Sequence, residues 1–144
     1  DEGDFPILDK GNDEISIKVI AGTFGKVSSK VKTFSPINMY ELDGPPNSKL
    51  EIPLPEGSNT LVFQLSGMSS IEDQQIKKGN LGLLSKSGET FEIKFLEESK
   101  VMILNGEPLG EPVAAYGPFV MNTRQELMEA FRDFQAGKMG QLVN

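Results

Sequence analysis

The sequence predicts an all-β fold, a sandwich, barrel or jelly roll, that ends in one α-helix. Three observations predict it: short segments in which apolar and polar residues alternate, turn residues that bound these segments, and a single helical pattern near the C-terminus. The chain has 144 residues, which is enough for one domain to bury a hydrophobic core without disulfides or metal ions.

The alternating segments mark the strands. In the first of them, Ile15, Ile17 and Val19 alternate with Ser16 and Lys18, which is the period of two expected of a strand with one buried face. The Gly, Pro, Asn and Ser residues between such segments predict seven or eight short strands, but periodicity alone does not choose among the three architectures. Further strands are predicted at 50–54, 61–65, 91–95 and 101–104, the last of them buried on both faces.

One helix is predicted at residues 124–136. Thr123 and Glu126 have the spacing of a capping box, and Gly137 suits the position that follows a helix. We place residues 1–13 in a polar, acidic lead-in segment and residues 14–144 in a single domain. The helix has an apolar stripe that must pack on another part of a protein, formed by Leu127, Phe131 and Phe134.

Charge and composition exclude several functions. The net charge of −7 would repel a phosphate backbone, so direct nucleic-acid binding is not expected. No apolar segment approaches the roughly 20 residues that cross a bilayer, and the absence of Cys agrees with a cytoplasmic location. The sequence also has no His, the usual general base and the commonest metal ligand. We therefore predict no catalytic, cofactor-binding or metal-binding residue in this chain.

The longest connection, residues 105–123, precedes the helix. Pro108, Pro112 and Pro118 fix φ and exclude a helix or a central strand there. A connection of this length without its own periodicity is commonly functional or part of an interface. Packing of its apolar residues on their own domain is the alternative. We predict a partner-binding surface formed by Leu109, Val113, Tyr116, Phe119, Val120 and Met121.

This connection, continued by residues 124–127 and 131–138, resembles the C-terminal signature of pirin-family proteins. Three upstream segments, 17–22, 33–36 and 54–59, follow in the order and spacing of the same domain, so the resemblance extends from about Ile15 to Met139. Ser58 is a departure, because family members often have His in the matching stretch.

The resemblance implies a cupin-type jelly-roll barrel that is the second half of a bicupin. In such proteins the N-terminal barrel carries three His and one Glu around an iron, and the C-terminal barrel carries no metal. Family members are linked to quercetin 2,3-dioxygenase activity and, in animals, to a nuclear role as a transcriptional cofactor. The expected partner is a companion N-terminal cupin domain or a second copy of this chain, and iron is expected only in that companion domain.

The general cupin metal pattern can be tested by counting back from Gly67, the glycine that closes the first cupin motif. The glutamate position then falls at Thr60 and the two His positions fall near Leu54 and Glu56; in the second motif, the His position falls at Thr90 or Phe91. A single Glu among these residues cannot hold a transition metal.

Three functional hypotheses follow. The first is a metal-free, non-catalytic cupin domain that acts as the structural and interaction half of a pirin-like protein. The second is one part of a quercetin 2,3-dioxygenase whose iron site lies in another domain. The third is a barrel that binds a small apolar ligand in an interior formed by Leu61, Phe63, Leu83, Phe91 and Ile93, and a side-chain-filled core is its alternative.

Overall fold

The computed structural model describes residues 5–8 and 14–140. The chain divides into two compact units, of which the first ends at Pro108 and the second begins at Leu109. The described residues form fourteen strands and one helix, so the prediction of an all-β fold with one C-terminal helix is confirmed.

The first unit contains twelve of these strands, listed here in chain order: β1 (Ile7–Leu8), β2 (Ser16–Ala21), β3 (Thr23–Phe24), β4 (Val27–Ser28), β5 (Ile37–Gly44), β6 (Lys49–Pro53), β7 (Asn59–Ser66), β8 (Met68–Ile71), β9 (Gln74–Lys77), β10 (Leu81–Leu83), β11 (Thr90–Phe95) and β12 (Ser99–Gly106). They form a six-stranded sheet in the order β1-β2-β5-β12-β7-β10 and a four-stranded sheet in the order β6-β11-β8-β9, with β3 and β4 as a separate pair. Neighbouring strands are antiparallel.

The core of this unit forms where apolar residues recur at every second position. Burial alternates strictly along β2, β6 and β12, because successive side chains of a strand point to opposite faces of the sheet. Several core side chains are fully buried: Ile17, Leu42, Ile52, Val62, Ile93 and Ile103.

The predicted inward face of β7 is wrong. Leu61 and Phe63 lie on the outer face of the six-stranded sheet, whereas Thr60, Val62 and Gln64 face the core and are buried. The polar pair can be buried because both side chains have hydrogen-bond partners inside the unit. Gln64 Nε2 donates to the Ser66 carbonyl over 2.7 Å, and Asn105 Nδ2 donates to Thr60 Oγ1 over 2.9 Å.

The prediction for 101–104, a strand buried on both faces, is also wrong. Val101 and Ile103 are fully buried, but Met102 and Leu104 are half-buried on the opposite face. The strand is nevertheless central, because β5 and β7 pair with its two edges. The uninterrupted apolar run at 101–104 therefore lies in the middle of the sheet, but the face that carries Met102 and Leu104 is only partly covered.

The predicted lead-in segment contributes one short strand. Ile7 and Leu8 pair with Lys18 and Ile17 at the edge of the six-stranded sheet. The remainder of this prediction, residues 1–4 and 9–13, lies outside the described residues.

The second unit consists of a hairpin and the helix. The strands β13 (Ala114–Tyr116) and β14 (Phe119–Met121) pair within the connection predicted to be irregular, and α1 (Arg124–Gln135) follows. The predicted capping box is confirmed, since Thr123 Oγ1 accepts from the Glu126 amide over 3.2 Å and Glu126 accepts from the Thr123 amide over 2.8 Å.

Candidate functional site

A series of hydrogen bonds begins at Tyr40, passes through the exposed residue Thr23 and ends at buried side chains in the interior of the first unit. The Tyr40 hydroxyl donates to the Thr23 carbonyl over 2.5 Å, and its ring packs edge-on against Phe24 at 5.4 Å between centroids. Burial raises the pKa of Tyr40 to about 12, because the anion would lose its hydration. The hydroxyl therefore remains a donor even at alkaline pH, where an ordinary tyrosine would ionise.

The series of hydrogen bonds continues through two asparagines. The Thr23 amide donates to Asn38 Oδ1 over 3.3 Å, and Asn38 Nδ2 donates to Asn105 Oδ1 over 3.0 Å. Gly22 makes this approach possible: its φ is +78°, and a Cβ at this position would overlap Asn38 Oδ1. A glycine is therefore required beside the first asparagine.

The series of hydrogen bonds ends at two hydroxyl groups, both of which contact Asn105. Asn105 Nδ2 donates to Ser58 Oγ over 2.6 Å and to Thr60 Oγ1 over 2.9 Å. The Ser58 hydroxyl in turn donates to the Pro55 carbonyl over 2.5 Å. Ser58, Thr60 and Asn105 are all buried.

Ser58 and Thr60 also line a pocket of about 450 Å³ in the first unit. Its apolar residues come from five places in the sequence, and its polar residues from the β8–β9 turn, β9, the loop after β10 and the start of β11. The apolar group includes Leu54, Ile71, Ile76, Leu84 and Phe91, and the polar group includes Gln74, Gln75, Ser85, Lys86, Ser87 and Thr90.

The residues at the cupin metal positions do not fit iron. Thr60 occupies the glutamate position, and Asn105 and Ser58 beside it offer an amide and a hydroxyl that already bond each other. Iron, copper and nickel are held by imidazole, thiolate or clustered carboxylate ligands. Among residues 5–8 and 14–140, no three His, Cys, Asp or Glu side chains lie close enough together to hold a metal ion.

The prediction of an interior formed by five apolar residues is largely wrong. Phe91 lines the pocket, and so does Leu83, although Leu83 pairs with Leu61 on the outer face and is 72% exposed. Leu61, Phe63 and Ile93 do not line it. Leu61 and Phe63 lie on the outer face of the six-stranded sheet, and Ile93 is fully buried within the core. The sequence motifs single out Thr60 and Ser58 but miss Asn38 and Asn105, the two side chains that join them in one hydrogen-bonded network.

The residues of the predicted interface lie in the second unit. Leu109, Val113, Tyr116 and Val120 are exposed. Phe119 is partly covered because its ring packs against Phe131 and Phe134 of α1, at 4.9 and 6.0 Å between centroids. Met121 is also partly covered. Partner binding by these side chains stays a prediction.

No helix in the described part of the chain is long and apolar enough to cross a membrane.

Residues 39–140 match the model of the pirin C-terminal cupin domain. The chain belongs to the pirin family. This pirin-family chain is 32% identical over 134 residues to human pirin, with 89% of the chain and 46% of the relative covered. It is 31% identical over 141 residues to a pirin-like protein of Solanum lycopersicum, with 95% of the chain and 48% of the relative covered.

A solved structure extends the comparison. The crystal structure of a quercetin 2,3-dioxygenase from Acinetobacter baumannii superposes with a TM-score of 0.91 at 35% identity, covering 99% of this chain and 50% of that one. The predicted pirin resemblance and cupin-type jelly roll are thus confirmed. The chain spans about half the length of the curated relatives that it matches.

Proposed function

We propose that this chain is a metal-free, non-catalytic cupin barrel that serves as the structural and interaction half of a pirin-like protein. The observation that carries the proposal is the set of side chains at and beside the cupin metal positions. Thr60 stands at the glutamate position, and Asn105 donates to Thr60 and to the neighbouring Ser58. A metal-binding cupin needs imidazoles and a carboxylate there, and the sequence has no His. In this proposal, any quercetin 2,3-dioxygenase chemistry belongs to an iron-bearing companion cupin half.

Two surfaces are candidates for contact with a companion half or a second copy. One is the predicted surface of the second unit, where Val120 is 65% exposed. The other is the outer face of the six-stranded sheet. That face has ion pairs at one end, Lys18–Glu41 and Lys100–Asp43, both at 3.1 Å. At its other end it is apolar, with Leu61, Phe63, Leu81, Leu83, Met102 and Leu104.

The proposal predicts that the purified chain retains no stoichiometric metal. The chain is incubated with ferrous, cupric, nickel, zinc or manganese salts and then desalted. We expect inductively coupled plasma mass spectrometry to find far less than one equivalent of bound metal per chain. We also expect no quercetin oxidation above that of the free salts, because the donor set cannot hold the metal that would activate the substrate. The Acinetobacter baumannii quercetin 2,3-dioxygenase is the positive control. One equivalent of bound metal, or metal-dependent turnover, would refute the proposal.

A second prediction concerns association. If the surface of the second unit binds a partner, the isolated chain should cover it by forming a two-fold dimer at tens of micromolar. Light scattering should then show that Val120→Asp converts the dimer to a monomer, while the exposed control Thr33→Asp does not. A monomeric parent chain contradicts this prediction. A dimer that is lost in Leu83→Asp and retained in Val120→Asp would instead identify the outer sheet face as the contact surface.

A further inference from the structure

The directions of the hydrogen bonds from Thr23 to Thr60 determine which groups can still donate. The Thr23 amide can only donate, so the Asn38 atom that it contacts must be the carbonyl oxygen. The Asn38 amide group therefore faces Asn105 and donates to its oxygen. This orientation in turn directs the Asn105 NH₂ group toward Ser58 and Thr60.

Thr60 is left with an unused proton. A hydroxyl has one hydrogen to donate and can accept in addition. The Ser58 hydrogen is donated to the Pro55 carbonyl. Thr60 Oγ1 accepts from Asn105, and no acceptor for its own hydrogen is found among the described residues. Thr60 is only 3% exposed, so its hydroxyl is shielded from bulk water. A buried donor without an acceptor costs free energy.

Thr60 is one of the residues that line the pocket described above. A volume of about 450 Å³ is within the range of small-molecule sites, which combine apolar walls with a few fixed polar groups. Ile71 and Ile76 are buried in the core cluster, and Leu54, Leu84 and Phe91 pack against it, so the apolar wall is held in place.

The charges around the pocket favour an uncharged ligand. Its lining includes one acidic side chain, Glu72, and one basic side chain, Lys86, and both are exposed. Exposed charges interact weakly because water and salt screen them. The neutral polar residues of the lining are exposed as well: Gln74, Gln75, Ser85, Ser87 and Thr90. The buried recognition groups are therefore the Thr60 hydroxyl and the apolar wall.

We propose that this pocket binds a small uncharged organic molecule, which places an acceptor oxygen against the Thr60 hydroxyl and an apolar ring system against Phe91 and the neighbouring aliphatic side chains. Asn105 positions Thr60 by fixing the direction in which its hydroxyl donates. The site requires neither a metal nor a companion domain, so it goes beyond the proposed function and does not depend on it.

The test uses two probes that differ in one acceptor, 1-tetralone and tetralin. Both are titrated into the full chain while methyl resonances of Leu54, Ile71, Ile76 and Leu84 are followed by NMR. We expect saturable shifts with 1-tetralone. In Thr60→Val the affinity for 1-tetralone should fall by about five- to tenfold, the range for loss of one hydrogen bond, whereas the affinity for tetralin should not fall. Thr60→Ser, which keeps the hydroxyl, should bind 1-tetralone like the parent.

Tetralin binding also shows whether the pocket survives the substitution. If Thr60→Val weakens both probes equally, the hydroxyl is not a recognition group and the proposal is wrong. Absence of saturable shifts with 1-tetralone in the parent chain would overturn it as well. Neither result would affect the metal-free function, which is tested separately by metal content.

Discussion

Replacing Ile103 with alanine is expected to lower the free energy of unfolding of the first unit by about 3 kcal/mol, within the range for truncating a fully buried aliphatic side chain. Ile103 has no exposed surface, and it lies on β12, the strand that β5 and β7 both pair with. Neighbours on both sides hold the backbone, so the cavity cannot easily collapse. Urea unfolding followed by far-ultraviolet circular dichroism measures the loss.

The matched control is Leu83→Ala. Leu83 is also an aliphatic residue in the six-stranded sheet, but it is 72% exposed on the short edge strand β10. Its truncation should change the free energy of unfolding by less than about 0.5 kcal/mol. Equal losses from the two substitutions would mean that the core is not centred on β12.

The second large effect is expected from Asn105→Leu, which keeps a side chain of similar size and removes the centre of the buried network. We expect a loss of about 3 kcal/mol, because the Asn38 amide and two hydroxyls lose a partner inside the protein. Asn80→Leu, at an exposed position of the same unit, should have little effect. A loss below about 1 kcal/mol for Asn105→Leu would show that water replaces the asparagine without cost.

Local patterns were enough to predict several elements. Alternation located β2, β6 and β11 to within two residues, because one face of each strand is buried in a core of the same unit. The helix was predicted correctly because its signals are local: Thr123 and Glu126 cap its first turn, and Gly137 follows its end with a φ of +70°.

Other elements depend on features that the sequence does not display. The β8–β9 hairpin turns at Glu72 and Asp73, both of which adopt positive φ. Such turns are usually marked by Asn-Gly or Asp-Gly, and this hairpin has Asp without the glycine, so its turn signal is weak. The inward face of β7 was misassigned because Thr60 and Gln64 are buried through partners elsewhere in the chain, Asn105 and Ser69.

The candidate site was only partly predictable for the same reason. The absence of His indicated that the metal positions are changed, and the motif count placed Thr60 among them. The hydrogen bond between Asn38 and Asn105, however, joins residues 67 positions apart. Only the pairing of β5 with β12 sets these two side chains side by side. The periodicity of the sequence does not show which residues of the two strands lie opposite each other.

The lengths of the outermost strands have a consequence for how copies of this unit meet. β1 and β10 border the six-stranded sheet with two and three residues, and β6 and β9 border the other sheet with five and four. A foreign strand needs a long row of unpaired amides and carbonyls to add to a sheet. Pro53 also ends β6 without an amide donor. Within its described residues the unit therefore offers little template for edge-to-edge growth, and side chains rather than backbone should govern its contacts.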